Sequence, residues 1–264
     1  SLANNYLLSQ LLRMWDSMNP VNRNLTHALG MDDRGITAII GSGGKSTLLR
    51  ALGLELMRGG ARVLLATSTH MFPVAGVPWE GAARRMTDVA WRAASLHAPG
   101  CTCAQCAGPR GSICQTGTVD AATGKLGAPV ESWSDLAGRF DHVLVEADGS
   151  RRLPLKAHAS WEPVIPEGTA RAIWVVGASG LDRPITKVVH RPELFCDTCG
   201  CAPGDTATPE RVATVLTHEM QALGLEDATV VLNQTDTLAD PTDTVTRFEH
   251  ILDRPIVPLS LKNL

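Results

Sequence analysis

ITAIIGSGGKST, residues Ile36 to Thr47, is the stretch on which the fold turns. Ile36, Ala38, Ile39 and Ile40 make a short apolar run that ends in glycines, and Lys45 to Arg58 then carries Leu48, Leu49, Leu52 and Leu56 at helical spacing. Gly59 and Gly60 stop that helix, and RVLLAT (Arg62 to Thr67) reads as a second buried strand. Strand, glycine loop, helix, strand is a βαβ unit, which closes with a right-handed crossover and implies a parallel sheet. Further interior strands are expected at Val143 to Val145, Ile173 to Val176 and Val230 to Leu232. A helix is expected over Glu210 to Leu223, with Pro209 in its first turn and Thr208 as N-cap. The fold class is therefore α/β, a mostly parallel sheet flanked by helices in the manner of a P-loop NTPase.

The loop itself has a chemical reading. A triphosphate needs many donors in a small space, and backbone N–H groups of a glycine-rich turn at a helix N-terminus supply them. Gly41, Ser42, Gly43, Gly44, Lys45, Ser46 and Thr47 form that cradle: the glycines permit the turn, Lys45 reaches the β- and γ-phosphates, and the Ser46 hydroxyl is a ligand for Mg²⁺. The common pattern GxxxxGK[ST] asks for glycine at position 39, where this chain has Ile39, so the loop is a shortened variant. Such a loop needs an acidic partner at a neighbouring strand end. VLVEADG (Val143 to Gly149) offers Glu146 and Asp148, which suit Mg²⁺ binding or activation of an attacking oxygen. NQTD (Asn233 to Asp236) follows the Val230 to Leu232 strand with the spacing of a guanine-reading NKxD turn, in which Asp236 takes the ring donors and Gln234 replaces the usual Lys. The same residues are also ordinary turn formers after a strand, so ATP and GTP both stand as ligands.

Composition narrows the partners. Of 264 residues, 44% are hydrophobic and 19% charged, which supports a packed core. The formal charge is −3 and no run of Lys or Arg exceeds two, so no nucleic-acid footprint is expected. No stretch is apolar for long enough to suggest a membrane span. Leu7, Leu8, Leu11 and Leu12 mark an N-terminal helix without the pattern of a secretory signal. Residues 1–34 read as that helix and a lead-in, and residues 35–264 as the NTPase-like domain. Seven cysteines without a secretory signal fit a reducing, cytoplasmic setting.

Those cysteines fall in two groups. Cys101, Cys103 and Cys106 form CxCxxC with Cys114 beyond, inside a Gly-, Cys- and Pro-rich insertion at about 98–130 that reads as a loop or small subdomain. Cys196, Cys199 and Cys201 form the mirrored CxxCxC. Thiolates at this spacing suit Zn²⁺ or an iron–sulfur cluster. A sulfur-based selenium carrier and plain unligated thiols are the other readings.

GSGGKST, RVLLATSTHMFP, VEADGSRRLPLKAHASWEPVIP, VVHRPELF and the NQTD turn, in this order, resemble the YqeC family. Its members are accessory proteins linked to selenium-dependent molybdenum hydroxylases. The resemblance implies a place in maturing a selenium-containing cofactor of such an enzyme. It maps a hydroxyl-rich, switch-like segment onto Thr67, Ser68 and Thr69, and the EADGSRxLPLK stretch onto Glu146 to Lys156. Arg151, Arg152 and Lys156 then set cations beside two carboxylates, suited to a second anionic group, with His190 and Arg191 adding to the same cleft. Two functional classes fit: an enzyme that hydrolyses or transfers a phosphoryl group, with Lys45, Glu146 and Asp148 at its centre, and a nucleotide-gated chaperone for the hydroxylase. A cysteine-based metal or selenium carrier is a third.

Overall fold

The structure, a computed structural model, describes residues 25–80 and 111–261. The expected N-terminal helix and the cysteines at 101, 103 and 106 lie outside the described residues. The first described element is a single helical turn, α1 (Leu25–Ala28), which leads into β1 (Gly35–Gly41). Next come α2 (Lys45–Arg58) and β2 (Arg62–Thr67), the strand–loop–helix–strand unit expected from the leucine spacing. β3 (Ser112–Gln115) follows inside the cysteine-rich stretch; at four residues it is too short to show a period. α3 (Trp133–Arg139) begins on Ser132, whose side chain accepts from the Asp135 N–H, and delivers the chain to β4 (His142–Glu146).

Beyond β4 come β5 (Leu155–Lys156), the long β6 (Thr169–Gly177), the turn α4 (Ile185–Val188) and β7 (Val189–His190). α5 (Pro192–Cys199) ends on the left-handed Gly200. α6 (Pro209–Leu223) has Pro209 in its first turn and Thr208 accepting from the Arg211 N–H, as expected. β8 (Thr229–Asn233), α7 (Pro241–Leu252) and β9 (Val257–Pro258) complete the described chain.

Seven strands form one sheet in the order β3-β2-β4-β1-β6-β8-β9, and every pairing is parallel. β5 and β7 pair separately, Lys156 opposite His190. A parallel sheet is covered on both faces, and the burial shows it. Ala172, Trp174 and Val176 of β6 pack with α6 and Phe248 of α7, whereas the alternate residues Ile173 and Val175 face Leu48, Leu49 and Leu52 of α2. A smaller cluster seats Leu136 of α3 on Val143 and Val145. Among the described residues no helix is long and apolar enough to cross a membrane.

One topological point places the site. The chain leaves β1 for β2 on one side and later enters β6 on the other, so strand order reverses at β1. Open α/β sheets hold ligands at the carboxyl ends of the strands beside such a reversal. The glycine loop emerges there, and registers Ile39↔Glu146 and Thr67↔Glu146 bring the ends of β1, β2 and β4 level with it.

Candidate functional site

The loop from Gly41 to Gly44 is compressed against its neighbours, and at positions 41, 43 and 44 only glycine fits. Gly43 has φ +88°, and a Cβ there would lie 2.2 Å from the Gly177 Cα. Gly44 has φ +112°, and its Cβ would meet Asn233 Nδ2 at 2.4 Å. Both conformations are closed to most side chains. Side chains and a carbonyl from distant segments tether the loop: the Gly41 N–H donates to Asp148 Oδ2 (2.9 Å), the Ser42 hydroxyl to the Pro154 carbonyl (2.9 Å), and the Asn233 amide to the Gly43 carbonyl (2.8 Å). Its exit starts α2, whose first-turn N–H groups have no partner within the helix and carry its positive end.

Lys45 and Ser46 point to different carboxylates. The Lys45 ammonium donates to the Gly41 carbonyl (2.6 Å) and pairs with Asp148 Oδ1 (3.1 Å). The Ser46 hydroxyl donates to Glu146 Oε2 (2.7 Å). Glu146 is nearly buried, and loss of water raises its carboxyl above the usual range against the opposing pull of Lys45 and Ser46. A hydroxyl and a carboxylate side by side at the end of the glycine loop are hard oxygen donors of the kind that suit Mg²⁺. Among the described residues no group of three or more His, Cys, Asp or Glu is arranged to hold a metal on its own.

Asp148 is fully buried and is the hub of a charged network. Lys156 approaches its Oδ2 at 3.0 Å and His158 Nε2 at 2.6 Å, in addition to Lys45 and the Gly41 N–H. Burial pushes its carboxyl up, but Lys45, His158 and Lys156 outweigh that and hold it well below its ordinary value. The other ring nitrogen of His158 meets Glu219 Oε2 on α6 at 2.7 Å, and the His158 N–H donates to Glu219 Oε1 at 2.7 Å. Burial disfavours charge on this ring, yet the two carboxylates raise its pKa above that of a free histidine. When protonated, the ring can donate to both carboxylates, one from each nitrogen. Lys156 also pairs with Glu162 (2.7 Å), to which Arg191 donates at 2.8 Å.

The structure sorts the remaining candidates. Lys156 and Arg191 are engaged inside this network, while Arg151 and Arg152 are exposed on consecutive left-handed residues (φ 50° and 63°), with Arg152 over the Phe72 ring. His190 is held neutral to about pH 4 by burial and by Arg191 and Lys156. Thr67 donates to the Glu146 carbonyl (2.7 Å) and accepts from the Thr69 N–H (3.1 Å), so it caps the strand end; the Thr69 hydroxyl is buried without a hydrogen bond. Asp236 accepts from the Ser260 hydroxyl at 2.7 Å. Cys201 Sγ lies 3.2 Å from Cys199 and 3.3 Å from Cys196, and burial pushes the Cys196 thiol up to about 12. Cys114 sits apart from them, on β3 in the cluster under α3.

His158, Glu162, Glu219 and Ser260 were not among the residues expected in the site. His158 and Glu162 lie within the quoted PLKAHASWEPVIP stretch. Glu219 carries its own signal, a carboxylate on the apolar face of α6 among Val212, Val215, Leu216 and Met220.

A family profile described as YqeC protein matches residues 37–193, from the start of β1 to the start of α5. The uncharacterized protein YqeC of Escherichia coli (strain K12) is 32% identical over 188 residues, 71% of this chain and 69% of that one. The matched span holds the glycine loop, Glu146, Asp148, Lys156 and His158. On that footing the chain belongs to the YqeC protein family.

Proposed function

We propose that this chain binds a Mg²⁺–nucleoside triphosphate on the Gly41 to Thr47 loop and hydrolyses it or transfers its terminal phosphoryl group. The observation that carries the reading is the division of labour at the loop: Ser46 on Glu146, Lys45 on Asp148. Backbone N–H groups at the start of α2 bind phosphate oxygens. Lys45 exchanges the Gly41 carbonyl for a phosphate while Asp148 keeps its ammonium aimed along the loop. Ser46 and Glu146 would hold the metal, whose chemistry when bound is to neutralise charge on the transferring phosphoryl group. Of the two carboxylates, Glu146 is the one beside Ser46, and Asp148 is assigned to positioning Lys45. The family resemblance supports a reading in which this chemistry serves maturation of the selenium-containing cofactor of molybdenum hydroxylases.

A gated reading is favoured by one further observation. Lys45, Asp148, His158 and Glu219 form a continuous polar chain from the phosphate loop to α6. Movement of Lys45 onto a phosphate thus alters the charge that α6 feels, as a nucleotide-controlled chaperone requires. Calorimetry with Mg²⁺ and ATP or GTP tests the common core. Lys45→Ala is expected to weaken triphosphate binding at least about tenfold, and unchanged affinity rules the phosphate site out. Steady-state hydrolysis with and without a purified hydroxylase then separates the two: stimulation by the partner favours gating, and turnover set by a small-molecule acceptor favours the enzyme.

A further inference from the structure

The segment after β4 stands on the glycine loop with both feet. At its start, Asp148 takes the Gly41 N–H and the Lys45 ammonium, and the Gly149 carbonyl accepts from Lys156 at 2.6 Å. At its end, the Pro154 carbonyl accepts from the Ser42 hydroxyl (2.9 Å) and the Gly177 N–H (3.0 Å). Between the feet the chain makes one turn, closed by the Leu153 N–H on the Ser150 carbonyl at 2.9 Å. Its two central residues are Arg151 and Arg152, both left-handed and exposed. Two positive φ values in succession are the pattern of a type I′ turn, where Asn-Gly is preferred because a Cβ strains such positions. Backbone strain of this kind clusters at functional sites.

Arg152 meets a second cation there. Its guanidinium lies 5.3 Å from the centroid of the Phe72 ring and Lys125 Nζ lies 5.3 Å from the same centroid, so the two charges are at most twice that distance apart. Three separate segments at the carboxyl edge supply the cluster. Phe72 follows β2, whose last residue Thr67 stands opposite Glu146. Met71 exchanges backbone hydrogen bonds with Leu126 (3.0 and 2.7 Å), which brings Lys125 alongside. The Phe72 ring is 50% exposed. Among the described residues neither cation has an ion pair or a side-chain hydrogen bond. Asp120, the acid of the 119–126 turn, accepts from the Ala122 and Thr123 N–H groups at 2.8 and 3.2 Å. Two like charges held at one open ring repel each other, and an anion bound to both offsets that cost.

We infer that Phe72, Lys125 and Arg152 form a subsite for a phosphate-bearing small molecule, the second substrate that receives the phosphoryl group. This rests on the phosphate-loop reading above and deepens it: the loop holds the donor, and the turn that stands on the loop holds the acceptor beside it. Arg152 offers the planar fork that pairs with two phosphate oxygens at once, and Lys125 a point charge. Phe72 offers an apolar face to the body of the ligand. In the transfer an acceptor hydroxyl oxygen bonds to the terminal phosphorus as the bridging P–O bond breaks. The nucleoside diphosphate leaves with that electron pair, and the hydroxyl proton passes to solvent.

Phenyl phosphate, titrated calorimetrically into the full chain with Mg²⁺ and inorganic triphosphate filling the loop, is the probe. The wild type is expected to bind it, and Arg152→Gly to weaken that binding at least about tenfold, the scale of one bidentate charge-assisted contact. Glycine suits the left-handed position, so Arg152→Gly is expected to melt no lower than the wild type, and its loss of binding is then not a loss of fold. Lys125→Gln is expected to lose a smaller factor. Phe72→Leu is expected to weaken phenyl phosphate while leaving inorganic phosphate within about twofold. No binding to the wild type, binding that Arg152→Gly leaves intact, or binding that Lys45→Ala abolishes overturns the subsite and leaves the phosphate loop standing. A Glu-rich peptide that binds more tightly than phenyl phosphate with the same dependence on Arg152 overturns the small-molecule reading. Triphosphate that fails to bind, while Arg152-dependent binding of phenyl phosphate persists, overturns the phosphate-loop reading and with it the acceptor role.

Discussion

Asp141 and Asp148 flank the same strand, one at each end of β4, and they show how differently one chemical group behaves at the two edges of a parallel sheet. At the amino edge, Asp141 accepts from the Arg62 N–H (2.8 Å) and pairs with Arg34 (3.0 Å) and Arg62 (3.2 Å), whose side chains are 78% and 54% exposed. Water competes for these partners, and exposed pairs contribute little to stability. At the carboxyl edge, Asp148 meets Lys45, Lys156 and His158, which are 4%, 1% and 3% exposed. The difference lies in what the fold delivers to each edge. Loops and helix N-termini converge where parallel strands end, so a carboxylate there can be surrounded.

Removing the hub is expected to have the largest effect. Asp148→Asn leaves two buried lysines and a histidine without their shared counter-charge, and breaking a buried ion network in this way costs about 3–5 kcal/mol. At about 2–4 °C per kcal/mol for a chain of this size, the melting temperature falls by roughly 10 °C. A calorimetric melt checks it, and a shift no larger than that of Asp141→Asn erases the contrast between the two edges. Second in size is Gly43→Ala, whose Cβ drives into the Gly177 backbone. Triphosphate affinity is expected to fall at least about tenfold, read by titration calorimetry, with circular dichroism unchanged.

Acid weakens both edges, and the carboxyl edge also loses stability as pH rises. Asp141 is held down to about 2 by Arg62, so its contribution is present above the ordinary carboxylate range and is lost as pH falls through about 2. Asp148, also lowered, adds to that acid limb. His158 is raised, so its contribution is complete below its unfolded value of about 6.5 and disappears as pH rises through the higher folded value. Melting temperature is therefore expected to decline as pH rises above about 6.5, and His158→Gln to flatten that decline from a lower starting point. A wild-type profile flat over this range means that the ring is neutral. The smallest effect belongs to Asp141→Asn, which is expected to leave nucleotide affinity within about twofold because its partners are distant from the loop and screened by water.

Much of this was legible along the chain, and the reason is local. β1, the glycine loop and α2 are contiguous, so leucine spacing and two stopping glycines suffice. Thr208 and Pro209 announced α6 in the same way. Glu146 and Asp148 were legible because a strand end and its carboxylates are neighbours in sequence. β3 was hidden in a stretch rich in glycine and cysteine, and β9, with two residues, is too short for any period. The role of Lys156 was the hardest to read. Its sequence neighbours are arginines, which suggested a surface anion cleft, but pairing of β5 with β7 draws it inward onto Asp148 and Glu162. The partnership of His158 with Glu219 spans 61 residues, and Ser260 with Asp236 spans 24. No local pattern encodes such distances. An acidic residue on the buried face of an amphipathic helix is the trace that such a contact leaves.

The tethers of the glycine loop have a consequence in time. The Gly41 N–H reaches an acceptor 107 residues later in the chain, and the Gly43 carbonyl is held by a side chain 190 residues away. Both closures are long and pay their entropy before any contact rewards it. The motif that is read first from the sequence is thus among the last features of the molecule to be finished: during synthesis its residues emerge early and wait for β8. On the proposed reading, a nucleotide bound at this loop would stabilise only chains that have been completed through Asn233.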